Sequence, residues 1–161
     1  MIRFAKATDV KSLAALSIQV WLETYAKDGI RAEYAEFVVS TFTAQYFADL
    51  LHARQHKIIV AEDQGYLRGF ALINLDSHFE SEKNGFEVEK LYIHQPFRQA
   101  GFGRDLLNFI RRELGQAFWL YTWVENESNG YYEHVGFRKI GKHTFRFYDW
   151  DIENHVYVFD S

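Results

Sequence analysis

The chain has 161 residues, 48% of them apolar, which is enough for one core and too little for two ordinary domains, so a single domain over 1–161 is expected. Its formal net charge of -4 gives no electrostatic footprint for nucleic-acid phosphates or anionic lipid and suits a cationic small substrate. The absence of cysteine excludes a disulfide framework, a thiolate nucleophile and a cysteine-ligated zinc.

Residues 2–6 alternate apolar and polar as a short strand, and the chain turns polar at Thr8 and Asp9 without the apolar stretch of a secretory signal. No later segment is apolar over a membrane-spanning length, so no membrane partner and a cytoplasmic location are expected. Thr8 or Asp9 offers an N-cap to a first helix with Leu13, Leu16, Val20 and Trp21 on one face. Residues 31–54 form a second helical region, broken along its length, with Phe47, Leu50 and Leu51 on its buried side. Lys57 to Ala61 and Leu67 to Leu75 read as a hairpin about the turn Asp63-Gln64-Gly65-Tyr66. After a polar loop around 76–85, Phe86-Glu87-Val88-Glu89-Lys90-Leu91-Tyr92-Ile93 alternates strictly, and Pro96 ends the strand.

A glycine-bearing turn, Arg98 to Gly103, leads into a helix over Asp105 to Leu114 with Leu106, Leu107, Ile110 and Leu114 as its apolar stripe. Ala117 to Val124 reads as a buried strand, Ser128 or Asn129 as the cap of a short helix through Tyr132, and Gly136 as that helix's C-terminal cap. Phe137 to Tyr148 and His155 to Phe159 close the chain as an antiparallel pair at one sheet edge, joined by an acidic turn from Asp149 to Asn154. The fold class is α/β in the α+β sense, a mixed sheet with few flanking helices. Aromatic residues make up 18% of the chain and crowd toward its C-terminus, which fits an aromatic-walled pocket, a homodimer contact, or a core filled by rings.

The turn after the alternating strand carries the most specific pattern. A helix starting directly after Arg98-Gln99-Ala100-Gly101-Phe102-Gly103 presents free amide donors and the positive end of its dipole, which is a seat for a pyrophosphate. Gly101 and Gly103 remove the β-carbons that would hold the backbone away from phosphate oxygens. The lysine and hydroxyl residue of a Walker loop are absent, and the spacing is not that of a dinucleotide fingerprint. Taken alone, such a glycine pair is equally the start of an ordinary helix. The seven histidines show no metal-ligand spacing beyond His52 and His56, with no carboxylate completing a site, so no metal is expected.

Arg98-x-x-Gly101-x-Gly103 after an alternating strand resembles the acetyl-CoA signature Q/R-x-x-G-x-G/A of the GNAT superfamily. Asn126 followed by Tyr131-Tyr132-Glu133-x-x-Gly136-Phe137 resembles that superfamily's second motif, and the two motifs come in the superfamily's order and distance from each other. Within the superfamily the chain is similar to PaiA-like polyamine acetyltransferases, through Glu87-Val88-Glu89-Lys90-Leu91-Tyr92-Ile93, Gly101-Phe102-Gly103-Arg104-Asp105-Leu106-Leu107-Asn108 and Gly141-Lys142-His143-Thr144-Phe145. The likeness runs from the opening strand and Trp21-Leu22-Glu23-Thr24-Tyr25 to the final strand pair. It implies the GNAT fold, a mixed, mostly antiparallel seven-stranded sheet with about four helices in the order β-α-α-β-β-β-α-β-α-β-β. It also implies transfer of acetyl from acetyl-CoA to a primary amine of a small cationic acceptor such as a polyamine, by direct attack in a ternary complex. Two departures stand out: Ala100 occupies a position that is often basic, with Arg104 as another source of charge, and Asn126 to Tyr132 is one residue short, with Gly130 where a helix former is expected.

By this resemblance, the backbone of Leu91, Tyr92 and Ile93 pairs with the pantetheine arm, Leu91 N–H faces the acetyl oxygen, and the stretch from Arg98 through Gln99, Ala100, Gly101, Phe102 and Gly103 to Arg104 holds the pyrophosphate. An oxyanion donor of this kind is worth about 3 kcal/mol. A primary alkyl amine is protonated at neutral pH, and freeing its lone pair costs about 4 kcal/mol, so a base or water relay is useful. Glu87 stands where some family members carry a catalytic glutamate. Glu87 and Glu89 share a strand face, and each also reads as a strand carboxylate solvated or paired across the sheet, Glu89 above all. Tyr132 matches the tyrosine that protonates the departing thiolate, against a packing role for Tyr131 and Tyr132, which as helix neighbours cannot both face the cofactor. Asn126 either touches the coenzyme or caps the helix. Trp21, Tyr25 and Glu89 are the acceptor-site candidates, with Glu23, the loop 76–82, Asp149 and Asp151 as further carboxylate sources. The rival readings are a non-catalytic regulatory module that binds the coenzyme, and an enzyme acting on a protein or peptide amine or an aminoglycoside.

Overall fold

In the computed structural model, which describes residues 1–160, the chain runs through β1 (Ile2–Phe4), α1 (Val10–Tyr25), α2 (Ala32–Thr41), α3 (Ala44–His52), β2 (His56–Asp63), β3 (Tyr66–Asn74), β4 (Phe86–Ile93), α4 (Phe102–Glu113), β5 (Phe118–Trp123), α5 (Asn129–His134), β6 (Arg138–Phe147) and β7 (Trp150–Phe159). The strands form one seven-stranded sheet ordered β1-β2-β3-β4-β5-β7-β6, antiparallel at every joint except β4 with β5. This is the mixed, mostly antiparallel sheet expected. It carries five helices rather than four, because residues 31–54 hold two. Thr43 separates them: its Oγ1 accepts the Tyr46 N–H at 3.1 Å as the N-cap of α3.

Two expected local features differ. Asp9 does not cap α1 with its side chain. Its carboxylate accepts the Lys6 N–H at 2.7 Å and two bonds from the Arg3 guanidinium at 2.8 and 3.1 Å, tying the turn Ala7–Asp9 to β1. That guanidinium holds the Asp9 carboxyl below its ordinary range. The second difference is β7, which begins at Trp150 and not at His155, with Phe147 opposite Trp150 and Thr144 opposite Glu153. The acidic stretch is strand because its charges fall on alternate, outward positions: Asp151 and Glu153 are exposed while Ile152 and Asn154 are buried. The turn is therefore confined to Tyr148 and Asp149.

Alternation along the strands sends apolar side chains to two covered faces. On one, Leu106 and Ile110 of α4 pack on Ile59, Ala71, Val88 and Phe118. On the other, Leu13 and Leu16 of α1 and Phe47 of α3 pack on Ile58, Val60, Phe70 and Leu72. Each such side chain contributes roughly 1.5–3 kcal/mol by leaving water. A third cluster, Trp21, Val38, Phe42, Phe147 and Ile152, joins α1 and α2 to the β6–β7 hairpin. No helix among the described residues is long and apolar enough to cross a membrane.

Two irregularities of β4 create the site. Leu72 pairs with Lys90 and Ile73 with Val88, so Glu89 is an extra residue, a β-bulge. The strict alternation expected over Phe86–Ile93 breaks there: Leu91 and Ile93 pack on the α4 face with Val88, and Tyr92 on the α1 face. Beyond Glu87, moreover, β4 and β5 part. They pair only at Phe86 with Phe118 and Glu87 with Trp119, while β5 stays bonded to β7 as far as Trp123 and β4 to β3 as far as Ile93. The sheet is split between its two parallel strands. Gly85, at φ 78°, sits at the root of the split, where a β-carbon would overlap the Ala117 carbonyl.

Candidate active site

The turn into α4 leaves a run of backbone donors without partners among the described residues. Its N-cap, Gly101, lies at φ 94° and makes no side-chain cap bond, and Gln99 two residues earlier lies at φ 69°. For a residue with a β-carbon the left-handed region costs about 1–2 kcal/mol, a penalty glycine escapes. Arg98 and Ala100 donate back to the Gln95 and Phe97 carbonyls. The amides of Gln99, Gly101, Phe102, Gly103 and Arg104 have no acceptor among the described residues. These donors converge with the positive end of the α4 dipole. A β-carbon on Gly101 would stand 3.4 Å from the Arg104 guanidinium, so a cation flanks the turn where Ala100 has none. Arg98 instead reaches Glu23 of α1 at 3.7 Å.

From this turn a cavity of about 1040 Å³ runs along the split in the sheet to the aromatic cluster. His94 N–H donates to the Arg68 carbonyl at 2.8 Å. Amides alternate in direction along a strand, so Tyr92 donates toward β3 and the Leu91 and Ile93 amides point into the split, where β5 offers no partner. The far wall is β5, from Leu120 to Trp123.

The short helix α5 delivers two tyrosines to this wall. It ends in a Schellman motif: Phe137 N–H donates to the Tyr132 carbonyl at 2.9 Å, Gly136 N–H to Glu133 at 3.2 Å, and Gly136 takes φ 110°. The Phe137 ring lies 5.5 Å from that of Tyr132, which is thereby fixed against Tyr157. Burial pushes the Tyr132 phenol up, keeping it protonated. Tyr131 also lines the cavity, its hydroxyl 3.1 Å from where a β-carbon on Gly103 would stand. Both neighbours thus reach the same cavity, one at the turn and one deeper in. The start of α5 is held by Asn129, whose Nδ2 donates to the carbonyls of Trp123, Val124 and Asn126 and whose Oδ1 accepts from Thr122 and Tyr157. Asn126 Oδ1 accepts the Ser128 N–H at 2.8 Å, which closes the turn before α5 rather than capping the helix, whose N-cap Ser128 makes no side-chain cap bond, and Asn126 still lines the cavity.

Residues 54–139, more than half of the chain, match the acetyltransferase (GNAT) domain family. The chain belongs to the GNAT family. This GNAT protein is an N-acetyltransferase, and it is 24% identical over 144 residues to an uncharacterised N-acetyltransferase of Lactobacillus delbrueckii subsp. lactis, covering 85% of this chain and 83% of that one. Its fold is similar to that of PaiA N-acetyltransferase from Thermoplasma acidophilum, solved with coenzyme A, with a TM-score of 0.78 and 16% identity over 100% of this chain and 98% of that one. It is also similar to that of YncA from Salmonella typhimurium, solved with its cofactor acetyl-CoA, with a TM-score of 0.66 and 20% identity over 99% and 92% of the two chains.

The remaining candidates fall into two groups. Trp21, Tyr25 and Glu89 line the cavity of this GNAT protein, whereas Glu23, Asp149, Asp151 and the loop 76–82 do not. Burial, with Tyr121 close by, pushes the Tyr25 phenol up to about 12. Glu89 accepts a bond from Asn74 Nδ2 at 3.0 Å and lies 3.5 Å from His56 Nε2. Glu87 is buried beside the cavity rather than in its lining, and accepts the Ser77 hydroxyl at 2.7 Å. Burial pushes its carboxyl up against the opposing pull of that bond. The bulge puts Lys90 into the lining as well, a placement that alternation cannot disclose, since Glu89 and Lys90 are both polar. Among the described residues there is no group of three His, Asp or Glu able to hold a metal.

Proposed function

We propose that this GNAT protein transfers the acetyl group of acetyl-CoA to the primary amine of a small acceptor, by direct attack in a ternary complex. The observation that carries the reading is one continuous line of unpaired backbone donors: the five amides at the α4 turn and, along the same cavity, those of Leu91 and Ile93. The turn suits two linked phosphates and the split suits an extended amide-bearing arm added as a strand. Bound there, acetyl-CoA supplies the activated thioester. The Leu91 N–H is the donor for the acetyl oxygen, worth about 3 kcal/mol. Glu87, with its raised carboxyl pKa, takes the amine proton through water, since it stands behind the lining. Tyr132 holds the proton that the departing thiolate needs. Asn126 keeps its amide nitrogen free for the coenzyme after its oxygen has closed the turn before α5.

A polyamine is the acceptor implied by the sequence resemblance; the likeness to PaiA N-acetyltransferase is one of fold and leaves the acceptor open. The test is release of CoA thiol from acetyl-CoA over a panel of polyamines, arylalkylamines, aminoglycosides and short peptides. Release that rises with the concentration of one amine class supports the reading. Tight binding of acetyl-CoA with no release over the whole panel supports a regulatory module instead.

A further inference from the structure

The acceptor end of the cavity has a charge pattern that polyamines do not complement. Two carboxylates line the cavity, Glu89 and Glu127. Glu127 is at the rim, its side chain 80% exposed and 3.7 Å from Lys27. Glu89 is already engaged by Asn74 and His56. Next to it in the bulge is Lys90, which makes no hydrogen bond or ion pair among the described residues. Its Nζ is held by rings, 5.4 Å from the centre of Phe42 and 5.8 Å from that of Tyr92. Burial pulls the Lys90 ammonium below its ordinary range, Glu89 and then Glu87 oppose that pull, and neither carboxylate is within ion-pair distance. The rest of the lining is rich in rings, with Thr24, Thr41, His143, Arg146 and Asn154 among them. Trp21 and Tyr25 stand 4.6 Å apart, and Trp123 closes on Tyr25 at 5.2 Å.

We propose that the acceptor is an arylalkyl monoamine and that Lys90 is the specificity residue that excludes polyamines. This rests on the acetyl-transfer reading above and narrows its acceptor. The tilted rings of Trp21, Tyr25 and Trp123 offer aromatic surface to an apolar body and, at one point, to a single ammonium before it loses its proton. A polyamine brings a second and third ammonium into the same wall. There Lys90 adds a like charge, and the carboxylate beside it, Glu89, is shared with Asn74 and His56 and offsets only part of the cost of removing those charges from water.

The experiment compares kcat/KM for 2-phenylethylamine and tryptamine with that for spermidine and spermine, read as CoA release at fixed saturating acetyl-CoA. For the wild-type chain the arylalkylamines are expected to lead by about tenfold or more, the scale of one poorly screened like-charge contact. Lys90→Met is expected to shrink that ratio by about tenfold, chiefly through a lower KM for spermidine, and Lys90→Arg to preserve it. Wild-type preference for spermidine overturns the proposal, and so does a ratio that a folded Lys90→Met variant leaves unchanged. Should Lys90→Met fail to fold, the wild-type ranking decides alone. Release with polyamines ahead sinks only this inference and sustains acetyl transfer, whereas release with no amine at all overturns both.

Discussion

Replacing Gly101 with alanine separates the backbone cost of the α4 turn from its ligand role, provided Gly65 is replaced in parallel. Gly101 lies at φ 94° and Gly65, in the β2–β3 turn, at φ 83°. A β-carbon on Gly65 meets nothing within 4 Å, and one on Gly101 meets only the Arg104 guanidinium, at 3.4 Å. Both variants therefore carry the same left-handed penalty, about 1–2 kcal/mol, and at this chain length each should lower Tm by roughly 2–8 °C. Only Gly101→Ala sets a methyl group among the unpaired amides and beside Arg104. Loss of one charge-assisted bond to phosphate is worth about 1.5–3 kcal/mol, which weakens acetyl-CoA binding by roughly 10- to 100-fold. Scanning calorimetry gives the first quantity and titration calorimetry the second. If Gly101→Ala binds acetyl-CoA as tightly as Gly65→Ala, the turn does not hold the pyrophosphate.

Other substitutions test the remaining assignments. Tyr132→Phe keeps the ring in the Schellman contact with Phe137 and removes the hydroxyl, so kcat should fall by about 100-fold with little change in Tm, and an unchanged kcat would return Tyr132 to packing alone. Glu87, whose carboxyl is pushed up by burial, should give the rate an acidic limb above the ordinary carboxylate range, and Glu87→Gln should remove that limb and lower kcat by about 100-fold. Because the folded pKa is raised, the protonated form stabilises the fold at low pH and that contribution is lost as pH rises through the folded pKa, so Glu87→Gln should be no less stable than the parent at pH 8 by denaturant unfolding. Gly130 lies within α5 with nothing within 4 Å of a β-carbon and no positive φ, so Gly130→Ala should raise stability by about 0.5–1 kcal/mol in the same measurement.

The elements were legible where burial left a period. The apolar spacing of α1 and α4, the hairpin about Gly65, and Gly136 as the end of α5 all have a local cause that composition preserves. The acidic start of β7 was hidden because its charges occupy the outward half of a strand, a pattern that also spells a turn. The division of residues 31–54 into α2 and α3 rests on one threonine cap. In the site, the glycine turn announces itself through residue types, while the split of β4 from β5 depends on tertiary pairing and the bulge at Glu89 on register. Lys90, Tyr46 and Tyr121 reach the cavity through these long-range features, so no local signal names them.

In the proposed function, one line of main-chain amides, from the α4 turn into the opened sheet, takes up the coenzyme. This uptake is tested most directly by following backbone amide resonances and hydrogen exchange of the isotopically labelled chain during titration with acetyl-CoA. The amides of Gly101, Phe102, Gly103, Leu91 and Ile93 should shift together and exchange more slowly, while Tyr92, already bonded to β3, changes little. Binding that leaves the Leu91 and Ile93 amides unprotected would contradict the account.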